Sequence, residues 1–265
     1  MILGRCKLCL RKNVELQDSH LMPQGIYYRV LSGEDSPRPV VVTEKGSRES
    51  SIQVRDYVFC KDCEERFDRR GENYALRMVT LRDRFRLLEE LESVKPSREK
   101  GEWRCYSQRD TPGINRDDLT YFALSVFWRA SVHVWPSAER GGKPVHIELG
   151  PQNNEIVRRF LLDEVQIPET LTLFFVVCTD RFSKASCYLP TLSNKKDFRW
   201  NYGFAACGYF FDLEVGKCQG VERTSICFIH SPERWIFVRD GAAKLIEGYS
   251  SLIARQPPKK RWRPK

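Results

Sequence analysis

Apolar and polar positions change their period several times along the chain, and each change marks an element. Residues 52–59 alternate through Ile52, Val54 and Val58, with Asp56 out of step, which predicts a strand. Residues 14–17 read as a shorter strand, and 25–31, with Tyr27 and Tyr28 adjacent, as one or two helical turns. Gly33, Pro37, Pro39 and Gly46 make 32–51 a loop, with Val40, Val41 and Val42 as a short strand inside it. After Cys63 the period lengthens. Phe67, Tyr74, Met78, Leu81, Phe85 and Leu88 fall on one stripe of a long helix, with Gly71 the place where it would be interrupted.

The pattern then breaks. Residues 93–113 are polar and contain Pro96, Gly101 and Pro112, so they read as a linker. A core helix follows, with Asn115 as its cap, Asp117 and Asp118 in its first turn, and Leu119, Phe122, Ala123, Val126, Phe127 and Ala130 as its apolar face. A second helix is expected over 154–162. Strands are expected at 171–178, 185–189, 202–213, 225–230 and 235–238, and a closing helix at 242–253. The expected fold class is α+β. An N-terminal unit, 1–92, is followed after the 93–113 linker by an α+β domain, 114–255, with a mainly antiparallel sheet covered by helices. Residues 256–265 form a basic, proline-containing tail, either a solubilising end or a nucleic-acid contact in which Trp262 stacks on a base.

Composition narrows the class. With 265 residues, 41% hydrophobic and 12% aromatic, the chain is globular rather than disordered. No apolar run is long enough to span a bilayer, and residues 1–6 do not read as a signal peptide, so a cytoplasmic location with reduced cysteines is expected. A net charge of +9 favours polyanionic partners, nucleic acid above all. No phosphate-cradling glycine loop, dinucleotide fingerprint or serine-nucleophile elbow is present.

The chemistry is concentrated in four cysteines. Cys6 and Cys9 form one Cys-x2-Cys knuckle, and Cys60 and Cys63 form another. Two such knuckles supply the four thiolates of a tetrahedral structural Zn2+. The alternative is four buried thiols without metal. The remaining cysteines have no such spacing and predict no second metal site. Lys7, Arg11 and Lys12 give the first knuckle a basic rim. Arg66, Arg69 and Arg70 crowd the helix after the second, either as a solvated, ion-paired face or as a surface that tracks phosphates.

Between the knuckles lies Asp18-Ser19-His20-Leu21-Met22-Pro23. A histidine closing a short strand, just ahead of a proline and between two zinc knuckles, resembles the HNH (His-Me finger) endonucleases on their treble-clef, ββα-metal scaffold. The likeness covers residues 6–75. It implies that His20 is the general base for an attacking water and that acidic residues hold a catalytic Mg2+ or Mn2+. A neutral imidazole can take such a proton, and a cation can stabilise the charge developing on the scissile phosphate. The sequence departs from the family at three places. Ser19, not an acid, precedes His20, with Asp18 one place earlier. Arg55 stands where the family has Asn. Glu64 stands where the family has its last metal-binding His. Glu64, with Asp18, Asp68 or Glu72, would then hold the metal, while Arg55, Arg66, Arg69 and Arg70 would grip the phosphates of DNA. The expectation is a metal-dependent, HNH-type endonuclease. The alternatives are a zinc-stabilised nucleic-acid-binding or protein-interaction module without catalysis, in which His20 only locks the loop around the zinc.

Overall fold

The computed structural model describes residues 1–31, 40–43, 46–49, 52–81, 84–138, 142–196, 199–216 and 221–240. The helix expected at 242–253 and the tail at 256–265, with Trp262, lie outside them. Within them the chain is α+β with a mainly antiparallel sheet.

The N-terminal part builds a small sheet against a helix. Strands β1 (Ile2–Gly4) and β2 (Val14–His20) pair antiparallel, and the first cysteine knuckle lies between them. Helix α1 (Gln24–Leu31) follows, then the hairpin β3 (Val40–Thr43) and β4 (Gly46–Glu49). Strand β5 (Arg55–Cys60) returns antiparallel onto β2 and runs directly into α2 (Lys61–Phe67). The second knuckle therefore straddles a strand-to-helix junction.

The long helix expected after Cys63 is broken. Helix α2 passes into a π-helical turn, Asp68–Glu72, then α3 (Asn73–Met78), and the backbone turns extended at Val79. A small hairpin, β6 (Thr80–Leu81) and β7 (Arg84–Phe85), precedes α4 (Arg86–Glu92). Two causes are visible. A β-branched pair, Val79 and Thr80, disfavours the helix there. At Gly71 the backbone presses on a neighbouring helix: an added Cβ would lie 2.7 Å from the backbone nitrogen of Phe122.

The polar stretch 93–113 is not a free connection. It carries β8 (Arg98–Lys100) and β9 (Trp103–Tyr106), which form one edge of the large sheet. All three residues of β8 are charged and exposed, which suits an edge that must not recruit further strands. Helix α5 (Arg116–Val132) begins as expected: Asn115 Oδ1 accepts from the backbone N–H groups of Asp117 and Asp118 at 3.1 and 3.0 Å. Beyond its first turn it is buried on nearly all sides rather than along one stripe.

After α6 (Pro151–Leu161) come β10 (Leu171–Cys178), the short α7 (Arg181–Lys184), β11 (Cys187–Lys196), β12 (Arg199–Ala206), β13 (Tyr209–Gly216), α8 (Val221–Ile226) and β14 (Ile236–Arg239). The seven-stranded sheet has the order β11-β12-β13-β10-β14-β9-β8, with β10 and β14 parallel and the other described pairs antiparallel. The strand expected at 202–213 is thus a hairpin, turning at Cys207 (φ 50°) and Gly208 (φ 94°). The strand expected at 225–230 opens instead on the last turn of α8.

The two halves share buried residues. Phe59 stacks on Trp128 of α5 with ring centroids 5.8 Å apart, and Phe67 meets Phe59 edge-on at 5.2 Å. Arg66 Nε donates to the Leu161 carbonyl at 2.6 Å, and an Arg158 guanidinium N–H donates to the Leu8 carbonyl at 3.0 Å. Residues from both halves form one continuous apolar cluster.

Candidate functional site

The four cysteines meet. Each offers one sulfur, and the four sulfurs lie within 4.8 Å of one another. Cys6 and Cys9 come from the loop between β1 and β2, where Cys6 N donates to the Arg11 carbonyl at 3.0 Å and Leu10 N to the Cys6 carbonyl at 3.0 Å. Leu10 and Asn13 take positive φ to close this tight loop. A tetrahedral ion with Zn–S arms of ~2.3 Å has S–S edges of about 3.8 Å, and Cys9 and Cys60 Sγ are 3.8 Å apart. The donor set and spacing therefore suit one metal ion such as zinc. Without the ion the sulfurs perturb one another: a hydrogen bond from Cys63 drives Cys6 down to about 4, while that same bond and burial push Cys63 up. Four thiolates at this spacing need a cation. Arg11 supplies part of that charge, donating to Cys9 Sγ at 3.4 Å and Cys60 Sγ at 3.3 Å and pairing with Asp62.

The strand pair that carries His20 has two unlike faces. Leu16 pairs with Cys60 and Asp18 with Tyr57, so Gln17 stands opposite both Val58 and Phe59 in a β-bulge. Beyond it Ser19 pairs with Asp56, and His20 with Arg55. Alternation then puts Ser19 and Asp56 on one face, and Asp18, His20, Arg55 and Tyr57 on the other. The first face is packed. Ser19 is buried, its Oγ accepting from Phe59 N at 3.2 Å, and Asp56 bonds His133 Nε2 at 2.8 Å. The second face is open. His20 is half-buried there, its Nε2 2.8 Å from Gln53 Oε1, and Asp18 pairs with Arg55 at 2.7 Å.

Glu64 belongs to α2. Its Oε1 is buried without a hydrogen-bond partner. Further along, the buried carboxylate of Glu72 is ion-paired with Arg129 of α5, whose guanidinium also donates to the His20 carbonyl at 3.2 Å and lies 4.0 Å from the Phe67 ring centroid. Burial raises the Glu72 carboxyl to about 7 against the opposing pull of Arg129, with the charges of Glu64 and Asp68 adding to the rise. Among the described residues, the cysteines are the one set of three or more Cys, His, Asp or Glu whose donor atoms converge. His20, Asp18, Glu64 and Asp68 do not.

The expected phosphate-gripping arginines divide. Arg66 and Arg70 both bind the Asp163 carboxylate at 2.6 Å, tying α2 and the π turn to the end of α6. Arg55 holds Asp18, and Arg69 is exposed. Sequence reasoning missed Gln53 and Arg129, whose partners are distant in the chain. The visible signal for Arg129 was a cation set inside the apolar run of α5.

Comparisons with protein-family models, curated proteins and solved structures find no match. No described helix is long and apolar enough to cross a membrane.

Proposed function

We propose that this chain is a zinc-stapled protein with an HNH-like, treble-clef N-terminal region that acts on nucleic acid, as a metal-dependent endonuclease with His20 as its base. The observation that carries the reading is the position of His20. It closes β2 on the open face of the β2–β5 pair, beside Arg55, with the cysteine cluster at the base of the same ribbon. With Gln53 Oε1 accepting from Nε2–H, Nδ1 keeps the lone pair that a base needs. Arg55 can exchange its exposed partner Asp18 for a phosphate, since such a surface ion pair contributes only ~0–1 kcal/mol.

The fit of a second metal rests on Glu64. A buried carboxylate oxygen without a partner is the kind of atom Mg2+ or Mn2+ satisfies. The converging donors that would complete such a site are lacking among the described residues. Plasmid nicking with Mg2+ or Mn2+ tests the reading. His20→Ala is expected to lower the rate by about 10²–10⁴-fold while zinc content stays constant. Nicking that survives the substitution removes His20 from the chemistry.

A second reading, nucleic-acid binding without cleavage, is favoured by the donor geometry: among the described residues His20 belongs to no set of three or more converging metal-binding donors. That reading expects no nicking with either metal.

A further inference from the structure

The open face of the β2–β5 pair carries more than His20. Tyr57 shares that face and is 44% exposed. Arg55 of the same face also lines a cavity of about 450 Å³, together with Gln24, Tyr28, Ile52 and Gln53. The two adjacent tyrosines of α1 have opposite fates. Tyr27 turns inward and accepts from Val54 N at 3.2 Å, while Tyr28 stands 56% exposed at the cavity. Gln53 joins the cavity to His20 through the 2.8 Å bond between Oε1 and Nε2. Among the described residues this region thus offers two exposed phenol rings, side-chain amides, one guanidinium and an imidazole.

We infer that this patch is a binding platform for single-stranded nucleic acid, with unpaired bases stacking on Tyr28 and Tyr57 and Arg55 meeting a phosphate beside His20. The inference rests on nucleic acid being the partner, as proposed above, and adds the form of that partner. Charge argues for a single strand. Among the described residues the patch has one arginine, and Asp18 offsets it, so these residues lack the dense positive charge that tracks a duplex backbone. Aromatic faces next to a cavity are useful only to bases that have left their stack. The amides of Gln24 and Gln53 can meet the polar edge of such a base.

The test is binding of labelled oligo(dT) and oligo(rU), against a duplex of equal length, to the full chain without added Mg2+ or Mn2+, read by fluorescence anisotropy. Either single strand should bind at least about tenfold more tightly than the duplex. Tyr28→Ala should weaken single-strand binding by about five- to a hundredfold, Tyr28→Phe should leave it unchanged, and Tyr57→Ala should weaken it less. The salt dependence should correspond to about one or two phosphate contacts, and Asp18→Asn should tighten binding by freeing Arg55. Duplex binding equal to or tighter than single-strand binding overturns the inference. So does single-strand binding indifferent to both alanine substitutions, or no binding of either strand. The cleavage reading fails separately: a chain that binds oligo(dT) through Tyr28 but nicks nothing loses only its endonuclease assignment. One that nicks plasmid yet prefers duplex loses only this platform.

Discussion

Arg11 and Glu72 show how far single charges set the behaviour of this chain. Arg11 is more than half exposed, yet its guanidinium bonds two of the four clustered sulfurs. A hydrogen bond to a thiolate lowers its charge without competing for the metal, and it orients the ligand. Arg11→Ala should therefore weaken zinc binding by about ten- to a hundredfold in competition with a chromophoric chelator. Equal affinity in the two proteins would show that the guanidinium is bystander to the metal. Glu72 works through pH. Burial lifts its carboxyl from the ordinary 4.5 to about 7, so over that window the folded chain holds a proton that the unfolded chain has released. Its contribution to stability is then fully present below the unfolded value and is lost as pH rises through the folded one. The loss is at most about 1.4 kcal/mol per pH unit. Urea unfolding at about pH 5 and about pH 8 should give a larger fall in stability for the wild type than for Glu72→Gln. Identical pH dependence in the two would contradict it. Neither role was legible in the sequence. Arg11 was visible only as part of a basic rim, and the partner of Glu72 lies 57 residues away.

At the scale of elements, what could be read locally was read, and what depends on neighbours was not. The cysteine knuckles are local spacings, and the cap of α5 is a local pattern, so both appear in the structure where the sequence put them. The stripe after Cys63 was equally regular, but its outcome was decided by α5, which is distant in the chain and packs on the π turn. Gly71 marks that meeting. A Cβ there would lie 2.7 Å from Phe122 N and 2.9 Å from the Asp118 carbonyl, both backbone atoms that cannot swing aside. Gly71→Ala is therefore expected to cost about 1–3 kcal/mol, although alanine is intrinsically the better helix former. Chemical denaturation measures it directly. A stabilised variant would mean that the contact relaxes freely. The bulge at Val58 and Phe59 was hidden for a related reason: a register shift belongs to a pair of strands, and neither strand announces it alone.

For the whole molecule the question is whether the cysteine-cluster region stands apart. The polar composition of 93–113 suggested that it does, but edge strands and linkers share that composition, and the segment supplies β8 and β9. The packing then makes a definite demand. Phe59 and Phe67 sit between the cysteine cluster and Trp128, while Arg66, Arg70 and Arg158 cross to the Leu161 carbonyl, Asp163 and the Leu8 carbonyl. Removing a metal held by the four cysteines would free the junction of β5 and α2, and the loss would pass through Phe59 into α5 rather than stop at a hinge. Metal binding is then folding free energy for the shared core as well as for the knuckles. Chelation by EDTA is expected to lower the melting temperature of one cooperative transition, recorded by far-ultraviolet circular dichroism and by the fluorescence of the six tryptophans together, of which Trp128 lies in the shared core. Two separated transitions, with fluorescence unaffected by the chelator, would mean that the cysteines staple only their own loop and that the apolar cluster does not couple the halves.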